Sequence, residues 1–172
     1  MSIVTNAECL SLARQDSQLP AASMESYRIE ALDIDIKPSV RDNLFIALTV
    51  YTDADSPEPN LLFETLLNGG TYVYNEVQYN FSGLKKAAAY FAYARMIKGI
   101  DLTPTAFGIR VKNASESDAP DYRQKIQFAN DCISVGNAYL YDCVEYIRRM
   151  LPTYRKINSY RRKRSKFKII GD

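Results

Sequence analysis

The stretch PDYRQKIQFANDCISVGNAYLYDCVEYIRRML, residues 120–151, decides the fold class. Within it Ile126, Ala129, Ile133, Gly136, Leu140, Cys143, Ile147 and Met150 recur at alternating spacings of three and four. That spacing is a coiled-coil-like stripe on one long helix. At 1.5 Å per residue the helix is about 45–48 Å long, more than the expected diameter of the domain. Phe128, Tyr139 and Tyr146 form a second stripe beside the first. A helix apolar on two faces is expected to pack against more than its own chain, so these three are read as interface residues. Pro152 stops the helix.

Working back from there, Thr105–Lys112 follows Pro104 and reads as an extended piece, expected to pair with a hairpin further upstream. Gly83–Lys98 is a helix with Leu84, Ala87, Ala88, Phe91, Ala94 and Arg95 facing one way, and its run of alanines permits close helix approach. The hairpin is Thr71–Phe81, in which Tyr72, Tyr74, Val77, Tyr79 and Phe81 alternate about Asn75-Glu76. Before it, Leu61–Leu67 is a short apolar helix stopped by Asn68-Gly69-Gly70. Asp53–Pro59 is an acidic, Pro-containing loop. A helix from about Ser39 carries Val40, Leu44, Leu48 and Tyr51 on one stripe, and an earlier one, Ser23–Ile36, is expected to end at Pro38. Residues 5–14 form a short helix capped by Thr5 or Asn6, with Ala7, Leu10 and Ala13 on one side, and Gln15–Ala22 is a linker.

The predicted fold is mainly α with a small β component. It is a helical bundle around the long C-terminal helix, plus a β-hairpin and one further short strand. Residues 1–22 are a short helix and linker, 23–152 the core, and 153–172 a basic tail.

Composition narrows the function. With 172 residues, 47% hydrophobic, the chain is expected to be one soluble domain that buries roughly 70% of its unfolded surface. No apolar run approaches the roughly 18 residues of a membrane span, and MSIVTNAECL has no signal-peptide pattern. The chain has no His, which removes the commonest general base and imidazole metal ligand. Cys9, Cys132 and Cys143 form no C-x-x-C pair. The last two share a helix face at a separation of roughly 16 Å, too far to bond, and are expected to be buried as small apolar groups.

The acid pairs Asp33/Asp35 and Asp53/Asp55 read as solvated surface, since residues two apart on a helix do not face each other. Asn68-Gly-Gly-Thr71 lacks the pattern of a phosphate loop. Ser82-Gly-Leu-Lys-Lys86 reads as an ordinary helix start. No catalytic, metal or cofactor residue is assigned, and an enzyme is not expected.

Charge is distributed unevenly. Ten of the 22 basic residues lie between Arg148 and Lys168 with no acid among them. Residues 1–147 keep twelve basic against nineteen acidic residues, a net of −7. An acidic body with a cationic tail marks a segment aimed at something negative. The candidate partner-binding residues are Arg155, Lys156, Tyr160, Arg161, Arg162, Lys163, Arg164, Lys166, Phe167, Lys168, Ile169 and Ile170. Nucleic acid and an acidic protein surface both suit this tail, and the acidic body favours protein. The last piece, Lys166–Gly171, is strand-like, and its apolar end suits addition to another chain's sheet edge. Tyrosine numbers thirteen, with no Trp. Tyr72, Tyr74 and Tyr79 are read as further interface residues, because Tyr is enriched where proteins meet and no RNA-binding pattern is present.

Three blocks carry a resemblance: Leu66-Leu-Asn-Gly-Gly-Thr-Tyr-Val-Tyr-Asn75, Phe81-Ser-Gly-Leu-Lys-Lys-Ala-Ala-Ala-Tyr-Phe-Ala-Tyr-Ala-Arg95 and Thr105-Ala-Phe-Gly-Ile-Arg-Val-Lys112. Together they are similar to the neck or head–tail connector (ring, adaptor) proteins of tailed phages, of the crAss-like and Bacteroidetes phage type, over about residues 25–150. The resemblance implies a virion protein, made in the host cytoplasm. It would stack beneath the portal as a closed homo-oligomeric ring, a dodecamer, touching the portal and other neck or tail proteins. DNA would pass through its lumen without sequence-specific binding, and no cofactor or membrane is implied. An acidic body suits such a lumen, since like charge opposes sticking. The tail would hold DNA if it faced the lumen, so it is expected to dock on a neighbouring ring or the portal. The alternative is a small nucleic-acid-binding protein that grips phosphates with the tail.

Overall fold

Thr5 opens the first helix through a reciprocal cap. Its Oγ1 accepts from the Glu8 N–H at 3.2 Å, and its own N–H donates to Glu8 Oε2 at 2.7 Å. This helix, α1 (Asn6–Ala13), buries Cys9, Leu10 and Ala13 but leaves Ala7 exposed, so its inner face is centred one position off the expected line. The computed structural model describes residues 3–13, 21–53, 60–99, 102–105, 108–111 and 122–154.

A 3-10 turn (Ala21–Met24) leads into α2 (Glu25–Glu30), which runs on as a π-helical segment, Ala31–Ile36, into α3 (Lys37–Val40). Pro38 does not end the helix, as the sequence had suggested. It lies in the first turn of α3, where its missing N–H is not needed. In the wider π turn the Lys37 N–H reaches five residues back, to the Leu32 carbonyl, and the chain passes the proline in helical form. The break comes at Arg41, at φ 78°. Helix α4 (Asp42–Asp53) follows, so the Val40–Leu44–Leu48 stripe spans two helices.

Asn60 caps α5 (Leu61–Asn68) through its side chain, which accepts from the Phe63 N–H at 3.2 Å. The chain then turns at Gly69 into the hairpin β1 (Gly70–Tyr74) and β2 (Val77–Phe81), paired Tyr72 to Tyr79. Asn75 and Glu76 both have positive φ, the geometry of a two-residue turn that follows the strand twist. Gly69 (φ 82°) and Gly83 (φ 85°) lie back to back where the chain enters and leaves the hairpin. A Cβ on Gly69 would sit 2.5 Å from the Ser82 carbonyl carbon, and one on Gly83 2.5 Å from that of Asn68. Glycine is required at both by contact as well as by conformation.

The most enclosed element is α6 (Leu84–Gly99), along which the long C-terminal helix packs. Leu84, Phe91 and Met96 are buried on it together with Ala87, Ala88, Ala89, Ala92 and Ala94, so it is covered on every side. The small alanines let α1, α2, the π segment, α5 and α7 all approach. Each large side chain enclosed there contributes about 1.5–3 kcal/mol.

Helix α7 (Tyr122–Met150) lies along α6, about 43 Å long at 1.5 Å per residue. Ala129, Cys132, Leu140, Cys143 and Ile147 are buried in the contact, and Gly136 sits under the Phe91 ring. After Leu151 a 3-10 turn (Pro152–Tyr154) follows. Between the two helices, β3 (Leu102–Thr105) and β4 (Gly108–Val111) pair with each other, Pro104 opposite Ile109, as a second hairpin. The expected single strand joined to the first hairpin is thus replaced by a local pair. A two-stranded sheet has only edge strands, so proline is tolerated there. The architecture is mainly α with a small β component.

Candidate functional site

Strand alternation places Tyr72, Tyr74, Val77, Tyr79 and Phe81 on one face of the first hairpin, turned toward the last turns of α7. Tyr146 of α7 enters this face. Its ring lies 4.9 Å from Tyr72, edge-on, and 4.9 Å from Phe81, stacked. It is 1% exposed, and its hydroxyl donates to the Leu62 carbonyl of α5 at 3.2 Å. Burial pushes its phenol above the ordinary value. Tyr72 and Tyr79 stack at 5.3 Å.

One turn on, Arg149 lies over Tyr79 at 4.0 Å and over Tyr74 at 5.7 Å, and donates to the Tyr72 hydroxyl at 3.0 Å. Glu145 holds both Arg148 (2.6 Å) and Arg149 (3.4 Å). The first two cations of the run counted from Arg148 are therefore part of the helical body and paired with Glu145; the other eight run from Arg155 to Lys168.

Four of the six residues read as interface, Tyr72, Tyr74, Tyr79 and Tyr146, thus converge in one cluster within the chain. Tyr146 is enclosed by its own hairpin. The other two lie further along α7: Tyr139 packs edge-on to Tyr90 at 5.6 Å beneath Lys86, and Phe128 faces Tyr93 at 6.5 Å. The second stripe of α7 therefore makes contacts inside the molecule, with α6 and the hairpin. Arg149 and Phe81 were not singled out as site residues. The available signal was Glu145 four positions before Arg149 at a helix end, where a cation is favoured. The hairpin leaves Val73, Tyr74 and Val77 exposed at its tip. The tail residues Arg155–Ile170 lie outside the described residues.

A second concavity, a cleft of about 660 Å³, is lined by Thr5, Glu8, Arg28, Tyr51, Glu64 and Lys85 among others. Its charges are consumed internally. Lys85 meets Glu8 at 2.8 Å, Arg28 donates to Asn6 at 2.7 Å and pairs with Glu25 at 3.4 Å, and the Tyr51 hydroxyl donates to Glu64 at 2.9 Å. Burial alone would raise Glu8, but Lys85 and the Thr5 cap outweigh it and hold the carboxyl below its ordinary value. Nearby Cys9 is buried, which pushes its thiol up to about 12 and leaves it a poor nucleophile. Asp35 of the π segment is bound by Arg95 at 2.9 Å, with Glu30 on the same guanidinium at 3.4 Å. No group of three or more Cys, Asp or Glu among the described residues is arranged to hold a metal ion. No helix among them is long and apolar enough to cross a membrane.

No curated protein and no solved structure matches the chain. A family model does match, over residues 41–164, which include the hairpin, the central helix and the whole of α7. The chain belongs to the family of unknown function DUF6712.

Proposed function

We propose that the chain is a structural subunit of a closed homo-oligomeric ring in the neck of a tailed phage. There it would join the portal to tail components around the DNA passage. The observation that supports this reading is the placement of exposed apolar side chains on separate elements. Ile29 and Ile34 lie on α2 and the π segment, Ile46 and Val50 on α4, Leu61 and Leu62 on α5, Val73 and Val77 on the hairpin tip, and Tyr141 on α7. Several separate apolar patches suit a subunit that meets different neighbours on different sides, as ring closure by heterologous contacts requires. The polar clusters described above, Glu8–Lys85, Asp35–Arg95, Glu145–Arg149 and Tyr51–Glu64, pair within the chain, as expected where side chains build a scaffold. The resemblance of the three sequence blocks to connector proteins supplies the assembly, and the acidic body suits the lumen.

The second reading, a nucleic-acid-binding protein, is favoured by the eight cations from Arg155 to Lys168. Native mass spectrometry of the full chain and of a chain ending at Tyr154 separates the two. A discrete ring-sized species, weakened by the truncation, supports the structural subunit. A monomer that binds duplex DNA with a steep salt dependence, lost on truncation, supports the second reading.

A further inference from the structure

The exposed apolar side chains differ in their electrostatic surroundings. Those at the hairpin tip neighbour Arg148 and Arg149, and Arg149 lies over Tyr74. Ile29 follows Arg28 in sequence, and Ile29 and Ile34 directly precede Glu30 and Asp35, both of which Arg95 binds. Helices α4 and α5 themselves carry Asp42, Asp53 and Glu64 and neither Lys nor Arg; Lys37 lies over Phe45 at 5.9 Å near the start of α4. From Asp42 to Leu84 the sequence holds six acidic residues and neither Lys nor Arg. Of the cations near this region, Arg28 pairs with Glu25 and Lys85 with Glu8, while Lys37 pairs with the region's own Asp42 at 3.8 Å and Arg41 directly precedes it.

On α4, Ile46 and Val50 are 59% and 65% exposed one turn apart, and on α5 Leu61 is 75% exposed. The two helices meet at Tyr51 and Phe63, whose rings are 5.6 Å apart, edge-on. Each apolar pair adjoins that contact in sequence. These two helices expose apolar side chains and carry Asp42, Asp53 and Glu64 with no Lys or Arg, so their complement is a segment with cations and a few apolar side chains.

The chain supplies such a segment. Residues 155–170 carry eight cations and no acid, with Tyr160, Phe167, Ile169 and Ile170 between and after them. The segment also starts in the right place. Tyr154, immediately before it, packs on Phe63 of α5 at 6.2 Å. Sixteen extended residues reach roughly 50 Å, whereas α4 is about 18 Å long at 1.5 Å per residue. Tethered at the edge of the surface, the tail has an effective concentration in the millimolar range, which a second copy at ordinary concentrations does not match.

We propose that in the free subunit the basic tail, residues 155–170, docks on the α4–α5 surface of its own chain, covering Ile46, Val50, Leu61 and Leu62. The contact concerns the free subunit and does not depend on the ring reading. If the subunit assembles, the tail is already displayed beside a surface that a neighbour's tail could equally occupy, so exchange between copies needs no new chemistry.

Hydrogen exchange measured by mass spectrometry on the full chain tests this. The peptides spanning 42–53 and 61–68 are compared with those of a variant carrying Arg161→Ser, Arg162→Ser, Lys163→Ser and Arg164→Ser. A second variant, Ile46→Ser with Val50→Ser, alters only exposed side chains and preserves the fold. The expected result is a severalfold faster exchange of both peptides in the tail variant, and of the wild type when salt is raised from about 50 to about 500 mM. The tail peptides should exchange faster in the second variant. Unchanged exchange over α4 and α5 overturns the proposal, and so does protection that shifts to another element. Protection that falls on dilution also overturns it, since the tail would then come from a second copy.

Discussion

The guanidinium of Arg149 lies 4.0 Å above the ring of Tyr79 while its Nη1 donates to the hydroxyl of Tyr72, the residue paired with Tyr79 across the hairpin. One side chain at the end of α7 thus fastens both strands of a sheet that has no third strand. An isolated two-stranded hairpin is marginal in water, so this docking is what holds it.

Replacing Arg149 by Met should therefore lower stability by about 1–2 kcal/mol. Arg149→Lys should recover little of it, because an ammonium neither stacks flat nor reaches both rings. Urea unfolding followed by tyrosine near-ultraviolet circular dichroism measures the loss. Equal stability of the lysine variant and the wild type would show that charge alone suffices.

Gly69 and Gly83 should not tolerate alanine. Both have positive φ, and a Cβ at either would enter the backbone of the opposite strand connection. Each substitution should cost about 3 kcal/mol or more, beyond the ordinary penalty for a left-handed residue. Gly70→Ala serves as the comparison: its φ is also positive, at 142°, but its nearest contact is 3.9 Å away. Thermal unfolding of the three variants should rank it as clearly the mildest.

The Glu8 carboxyl titrates below its ordinary value of 4.5 because Lys85 and the Thr5 cap outweigh its burial. A carboxylate lowered in the folded state contributes stability above the unfolded value, and that contribution disappears as the pH falls through the folded one. Glu8→Gln should thus be less stable than the wild type at pH 7, by about 0.5–1 kcal/mol for a partly exposed pair. The gap should close as the pH drops below 4.5. Urea midpoints of both proteins from about pH 3 to about pH 7 measure it.

Cys9, Cys132 and Cys143 are buried and not in disulfides, and burial raises the thiols of Cys9 and Cys143. In the folded protein none should react with a thiol-specific disulfide reagent near pH 8, apart from the reaction set by unfolding. In denaturant all three should react at the rate of free cysteine. A fast native phase would place one of them at the surface.

The sequence alone determined the elements with strong periodicity or strong turn chemistry. The long helix ends within two residues of its expected limits, because its stripe and Pro152 mark it independently of context. The first hairpin is centred on Asn75-Glu76, where Asn accepts positive φ readily and Glu76 is carried into it by the turn. The absence of His and the separation of the cysteines were likewise plain from residue identity. The tyrosines of the cluster were legible as contact residues, but their partner was not.

Tertiary structure decided the rest. Helix α6 is rich in alanine and buried all round, so no face of it stands out, and its central place emerges only when other helices close on it. The π segment carries Asp35, bound by Arg95 sixty residues away, and leads into the turn that holds Pro38, a combination that local periodicity does not report. Read along the sequence, Arg148 and Arg149 begin a cationic tail; folded, they are the end of α7, held by Glu145 and a tyrosine face. Periodicity reports which side of an element is apolar, but the identity of what covers that side is a property of non-local packing. For this chain, the second stripe of α7 packs on its own α6 and hairpin, contacts that periodicity alone does not identify.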